Sequence, residues 1–339
     1  MRPVLHPSLV NGRFGDPALY VEALHQRAAL LFDLGDLSAL SARDLLRTSH
    51  AFVTHTHMDH FVGFDALLRI HVGRDKTLAL VGPEGFAERV GHKLQAYEWD
   101  LVDRYEADLT FEVTEVRRGR PALRARFRFK AAFEREELGE AKLADGIVAA
   151  TPWFEVRAAV LDHHGPCLGY AVAERAHVNV WKNRLDARGL ATGPWLQALK
   201  RAVTAGAGDE EPIPLPDGGT AKLGTLRDLV SVSQGQKIAY VTDVADTPAN
   251  RAAIAALAEG ADSFFLEARF AAADAEQARA RAHLTSQAAG EIARAAGARR
   301  FEPFHFSPRY EADEERMLAE AMAPSPPGAE RNGSDGGSF

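Results

Sequence analysis

Short apolar runs recur along the chain, separated by charged, glycine-bearing or proline-bearing stretches, and each run has the length of a strand rather than a helix. The runs at 29–33, 51–54, 78–81, 110–116, 154–161, 168–172, 237–242, 263–266 and 300–304 are the predicted strands. Several end at a His or an Asp. Between them the period changes: Phe61, Phe64, Leu67 and Leu68 fall on one helical face. Ser41-Ala42-Arg43-Asp44 has the form of a capping box ahead of Leu45-Leu46. Thr247-Pro248 supplies an N-cap and a first-turn proline for a helix stopping near Gly260, and Thr285 caps one ending at Gly297. Strands alternating with helices predict a layered α/β architecture. With no internal repeat and no clear linker, residues 1–322 read as a single domain. The stretch 204–220, rich in Gly, Pro and acidic residues, reads as an exposed excursion, and 323–339 as a disordered tail.

Composition narrows the picture. With 339 residues, 46% of them hydrophobic, the chain buries a large core. Its net charge of −7 gives no bulk attraction for nucleic acid and leaves only a local basic surface to be considered. Cys167 is the single cysteine, which excludes an internal disulfide and fits a reducing compartment. The N-terminal segment lacks the apolar stretch of a signal peptide, and no apolar run reaches the roughly 18 residues of a membrane span. The expectation is a soluble, cytoplasmic protein without membrane association.

The chemistry concentrates in Thr54-His55-Thr56-His57-Met58-Asp59-His60, three imidazoles and a carboxylate within six residues at a strand-to-helix turn. Such groups this close repel and desolvate badly without a cation among them, and imidazole with carboxylate suits zinc and related metals. His55 and His57, two apart on extended backbone, point together, whereas Asp59 and His60 face another way from the first helical turn. One run therefore serves two neighbouring ions. Further candidates stand at strand ends: His163 and His164 after 154–161, Asp243 after 237–242, and His305 after 300–304. Spacing alone does not separate His163 from His164.

The motifs THTHMDH, DHHGPCLGY, AYVTD, FLEARF, AHLTSQAAG and FHFSPRY resemble, in order and spacing, those of the metallo-β-lactamase superfamily, and within it the ribonuclease Z branch, from about Leu31 to Tyr310. The resemblance implies a four-layer αβ/βα sandwich of the metallo-β-lactamase fold with two Zn2+ along one sheet edge, Mn2+ or Fe2+ being other divalent candidates. It assigns His55, His57 and His163 to one ion, Asp59, His60 and His305 to the other, and Asp243 as a bridge. His163 is preferred to His164 because the family's ligand stands three residues before the proline, here Pro166. Asp59 also orients the nucleophile, a water or hydroxide between the ions. His283 resembles the histidine that protonates the leaving oxygen, with Glu267 holding its tautomer.

The implied activity is phosphodiester hydrolysis, with endonucleolytic 3′ processing of transfer RNA precursors as the family's reaction, RNA as the partner and a homodimer as the assembly. The departures from the family concern substrate. Asp33-Leu34-Gly35-Asp36-Leu37 stands where the family has a DCGEGTQ-like segment, and Leu266 and Arg269 replace its His and Thr. No basic, glycine-rich arm is identifiable, and the excursion carries Asp209, Glu210 and Glu211, which repel phosphates. A small phosphodiester, or an ester or lactone opened on the same fold, is the alternative substrate class, and a non-enzymatic binding protein on a degenerate scaffold is the remaining one. Arg117, Arg118, Arg120, Arg124, Arg126 and Arg128 read either as a basic track for RNA or as the exposed polar face of a strand.

Overall fold

A computed structural model describes residues 4–24 and 26–324 of the chain, so the tail expected at 323–339 lies, from 325 onward, outside the described residues. The nine predicted strands all form, most within two residues of their expected bounds. Eight strands make one sheet in chain order: Leu5–Leu9, Leu19–Ala23, Ala29–Phe32, Thr48–Phe52, Thr77–Pro83, Thr110–Val116, Ala122–Arg128 and Arg135–Ala141. Its four central strands run parallel and the flanking pairs antiparallel. Six strands make the second sheet, in the order Phe301–Phe304, Ser263–Glu267, Lys237–Val241, Pro166–Glu174, Phe154–Asp162 and Ile147–Ala150.

The layers follow from period-two alternation along these strands. On Ala29–Phe32, Ala29 and Leu31 join a core that includes Leu67 and Leu68 of the helix Phe64–His71 and Val90 and Leu94 of the helix Phe86–Leu94. On Lys237–Val241, Ala239 and Val241 join a second core with Ile254 of the helix Pro248–Ala258, Ile292 of Ser286–Ala295 and Met317 of Glu314–Met322. The opposite faces meet each other. Phe32 and Phe52 of the first sheet pack on Tyr170 and Tyr240 of the second at ring separations of 5.5–6.0 Å. Burying such a side chain stabilises by about 1.5–3 kcal/mol, and each ring pair adds about 0.5–1.5. Helices, sheet, sheet, helices is the expected αβ/βα sandwich.

The capping signals hold at atomic level. Ser41 and Asp44 form the reciprocal box, Thr247 accepts from Asn250 N, and Thr285 accepts from Ala288 N. These strands and helices belong to one compact unit, which takes in the described residues up to Thr151, Glu155–Val172 and those from Lys237 onward. Pro152–Phe154 with Ala173–Gln236 forms a second compact unit around its own core of Leu185, Trp195, Leu199, Ile213, Leu223, Leu226 and Leu229. The stretch 204–220 lies inside this second unit, where Pro212–Pro214 pairs antiparallel with Thr220–Lys222. Among the described residues no helix is long and apolar enough to cross a membrane.

Candidate metal centre

Within each sheet the parallel strands send their carboxyl ends to one edge, and the chemistry-bearing residues follow those ends, where ligands of open α/β sheets collect. Asp33 follows Ala29–Phe32, His55 follows Thr48–Phe52, Asp243 follows Lys237–Val241, and His305 follows Phe301–Phe304. Asp33, Asp243 and His305 adopt left-handed backbone at φ 59°, 47° and 58°. A residue with a Cβ pays of order 1–3 kcal/mol for such backbone, and it persists where surrounding bonds over-determine it. At Asp243 one such bond comes from Cys167, whose buried thiol donates to the Asp243 carbonyl at 3.2 Å.

The side chains converge. His55, His57, His163 and Asp243 bring one ligand atom each within 4.8 Å of one another, and so do Asp59, His60 and His305. Asp243 Oδ2 stands 3.7 Å from His55 Nε2, 3.7 Å from His163 Nε2 and 3.5 Å from His60 Nε2, touching both groups. Asp59 Oδ2 lies 3.7 Å from His60 Nε2 and from His305 Nε2. Two donors each about 2.0–2.1 Å from an ion at a tetrahedral angle stand about 3.3 Å apart, so these spacings suit a divalent ion of zinc's size. His60 tests the fit: its ring is fully buried, yet Nε2 makes no hydrogen bond. An unsatisfied buried nitrogen costs about 1–3 kcal/mol unless something accepts its lone pair or proton. The residues present fit a metal.

Partners behind the cluster orient the imidazoles. His163 Nδ1 donates to the Ala282 carbonyl at 2.8 Å, which leaves Nε2 facing Asp243. His163 enters the cluster, while His164 is exposed with its ring 6.3 Å from that of His57. His60 Nδ1 donates to Asp33 Oδ2 at 3.0 Å. Asp33 was read from sequence only as a departure from a motif, yet it is wholly buried and also accepts from Thr54 N, Thr54 Oγ1 and Tyr240 Oη. A carboxylate directly after an all-apolar strand is the signal that could have found it.

Electrostatics divides the histidines. Burial, with the neighbouring His60, pushes His55 down to about 2, so one ring nitrogen keeps its lone pair at neutral pH. For His60 burial works the same way, but the charges of Asp243 and Asp33 outweigh it and hold the ring well above the ordinary histidine value.

His283 and Glu267 form the expected pair beside this cluster. His283 Nδ1 lies 3.0 and 3.2 Å from the two Glu267 oxygens, and Glu267, with no exposed surface, also accepts from Val244 N at 2.7 Å. The His283 ring is 5.0 Å from that of His163 and 6.0 Å from that of His305. Burial lowers its affinity for a proton, and Glu267 more than reverses this, so the net shift is upward. His283 also comes within ligand distance of Asp243 and His305, so its position fits proton transfer and coordination alike.

The two motif departures have structural explanations. Leu266 is core, whereas Arg269 donates from Nη1 to His305 Nε2 at 2.7 Å. Arg124, Arg126 and Arg128 lie on the strand Ala122–Arg128, Arg117, Arg118 and Arg120 lie in the turn before it, and all six stand within ion-pair distance of a carboxylate. Arg117, Arg118 and Arg120 pair with Glu140, Asp162 and Glu84, and Arg124, Arg126 and Arg128 with Glu112, Glu136 and Asp108.

No family model matches the chain. Among solved structures, the short form of human tRNase Z aligns with a TM-score of 0.55 at 18% identity, over 91% of this chain and 92% of that one. The metallo-β-lactamase fold protein YhfI from Bacillus subtilis aligns with a TM-score of 0.52 at 16% identity, over 92% and 90%. The solved structures show the metallo-β-lactamase fold, and the clustered donors could hold metal ions. Ribonuclease Z of Deinococcus radiodurans is 35% identical over 316 residues, spanning 91% of this chain and 92% of its own. The chain belongs to the ribonuclease Z family.

Proposed function

We propose that this protein cuts phosphodiesters with two Zn2+ ions and that its substrate is the 3′ trailer junction of a transfer RNA precursor. His55, His57 and His163 would hold one ion, Asp59, His60 and His305 the other, with Asp243 between them; the same donors accept Mn2+ or Fe2+. When bound, such ions supply Lewis acidity and lower the pKa of water into the neutral range. Asp59, whose side chain is 41% exposed at the rim, orients the attacking water. His283, held in one tautomer by Glu267, gives its proton to the departing oxygen. Asp33 and the Ala282 carbonyl keep the imidazoles of His60 and His163 aimed, which preserves the geometry through turnover. The protein works as a homodimer in the cytoplasm, where the unpaired Cys167 stays reduced.

The observation that carries this reading is the His283 ring, buried against Glu267 and 5.0 Å from the ring of His163. A proton donor beside the metal donors is what the departing alkoxide of a phosphodiester requires. Zinc-loaded protein should contain two ions per chain by elemental analysis. Offered a transfer RNA precursor, a cyclic nucleotide, an aryl phosphodiester and a lactone, it should release the trailer from the precursor. Turnover of the lactone alone would overturn the reading.

A further inference from the structure

Arg269 reaches into the metal centre, and its hydrogen bond there is informative. Arginine does not give up its proton in a protein, so Nη1 donates and His305 Nε2 accepts at 2.7 Å. The His305 proton is therefore on Nδ1, where Asp243 Oδ1 accepts it at 2.8 Å. The lone pair that Arg269 occupies is the one on the side of Asp59, 3.7 Å from its Oδ2, and so the one His305 would offer an ion. One lone pair does not serve both. Coordination at His305 would release Arg269, and among the described residues no carboxylate lies within ion-pair distance of it. Every arginine of the 117–128 stretch, in contrast, is neutralised by an acid.

A half-buried, unpaired guanidinium beside such donors suits one kind of ligand. We propose that Arg269 is a substrate-binding residue that grips a non-bridging oxygen of the phosphoryl group at the metal centre. The inference rests on the phosphodiesterase reading and adds a contact that reading does not contain. A phosphodiester carries one negative charge shared by its non-bridging oxygens, and the planar fork of arginine matches two such acceptors at once. Positive charge already in place where the phosphoryl oxygens sit lowers the barrier without reorganisation. The arginine follows Glu267 by two residues, and His283 and Arg269 both flank His305. Strand end, proton donor and phosphate grip would then be set by one short segment.

The test is the affinity of zinc-loaded protein for inorganic phosphate, measured by titration calorimetry, together with zinc content. Arg269→Ala should keep its zinc and bind phosphate about ten- to a hundredfold more weakly, the worth of a hydrogen bond to a charged group. Arg269→Lys should fall between, because it keeps the charge and loses the fork. On a phosphodiester the alanine variant should show raised KM together with reduced kcat. Unchanged phosphate affinity in Arg269→Ala, or loss of zinc with it, would make the residue a prop for His305 and overturn the inference. Phosphate binding by the parent protein together with unchanged binding by the variant leaves the phosphodiesterase reading standing. Failure of the parent itself to bind phosphate removes both.

Discussion

Asp33 Oδ2 accepts the Nδ1 proton of His60 at 3.0 Å, deep in the sandwich where neither side chain has exposed surface. The carboxylate thereby ties the first sheet's strand end to the imidazole whose other nitrogen is left without a hydrogen bond among the metal donors. Thr54 and Tyr240 hold that carboxylate in turn, so the position of His60 is set from both sheets.

Replacing Asp33 by Asn keeps the shape and removes the charge that fixes the His60 tautomer. Asp33→Asn should lower zinc affinity by about 10- to 100-fold, as measured by chelator competition, with near-ultraviolet circular dichroism unchanged. Zinc held as tightly as in the parent would confine Asp33 to a role in folding.

The next expectation concerns the proton that His283 is proposed to deliver. His283→Ala should reduce kcat by about 10²–10⁴-fold on a diester with an ordinary alcohol leaving group, and by much less on a p-nitrophenyl diester, whose leaving group needs little protonation. Burial disfavours the charged ring and Glu267 outweighs it, so the donor stays protonated above the ordinary histidine range. Activity should therefore fall as pH rises through that raised value, and Glu267→Gln should move the fall to lower pH. Equal losses on both substrates, accompanied by lost zinc, would make His283 a ligand.

Arg124 and Arg126 share Glu112, and Arg126 also reaches Glu136. Their charge is balanced across the sheet, so replacing both with Ala should leave RNA affinity and its salt dependence unchanged. A slope of log affinity against log salt that shrinks by about one per arginine would show that they contact phosphates after all.

Stability should depend on pH through histidines away from the centre. Burial lowers both His50 and His71 from 6.5 to about 4. The unfolded chain protonates them below 6.5 while the folded chain refuses the proton until about 4, so each contributes stability that is complete above 6.5 and lost across that window. Denaturant titrations of metal-free protein should show a loss approaching about 1.4 kcal/mol per pH unit for each histidine. His71→Leu should flatten the profile by one histidine's share, and an unaltered profile would mean that His71 titrates normally.

Elements with strong local signals were legible, and weakly patterned ones were not. Thr110–Val116 formed at its expected bounds because its alternation and apolar content agree with burial on one face. Arg135–Ala141 escaped, since an edge strand with both faces polar is held by cross-strand pairs such as Arg126 with Glu136, which only the register creates. The second compact unit carries no linker signal at its start, because Ala173 lies within the strand Pro166–Glu174.

The sequence by itself determined that three histidines and an aspartate meet at one strand-to-helix turn, since residues two apart on extended backbone cannot avoid sharing a side. It also carried the family's remaining motifs in order, and with them the candidate ligands Asp243 and His305 and the pair His283 and Glu267. Only the tertiary structure placed Asp33 behind His60, gave the arginines of 117–128 their acidic partners and set Arg269 on His305. The Asp33–His60 and Arg269–His305 contacts join groups 27 and 36 residues apart. Such contacts are fixed by how two sheets close on each other, a long-range packing outcome that no local period records.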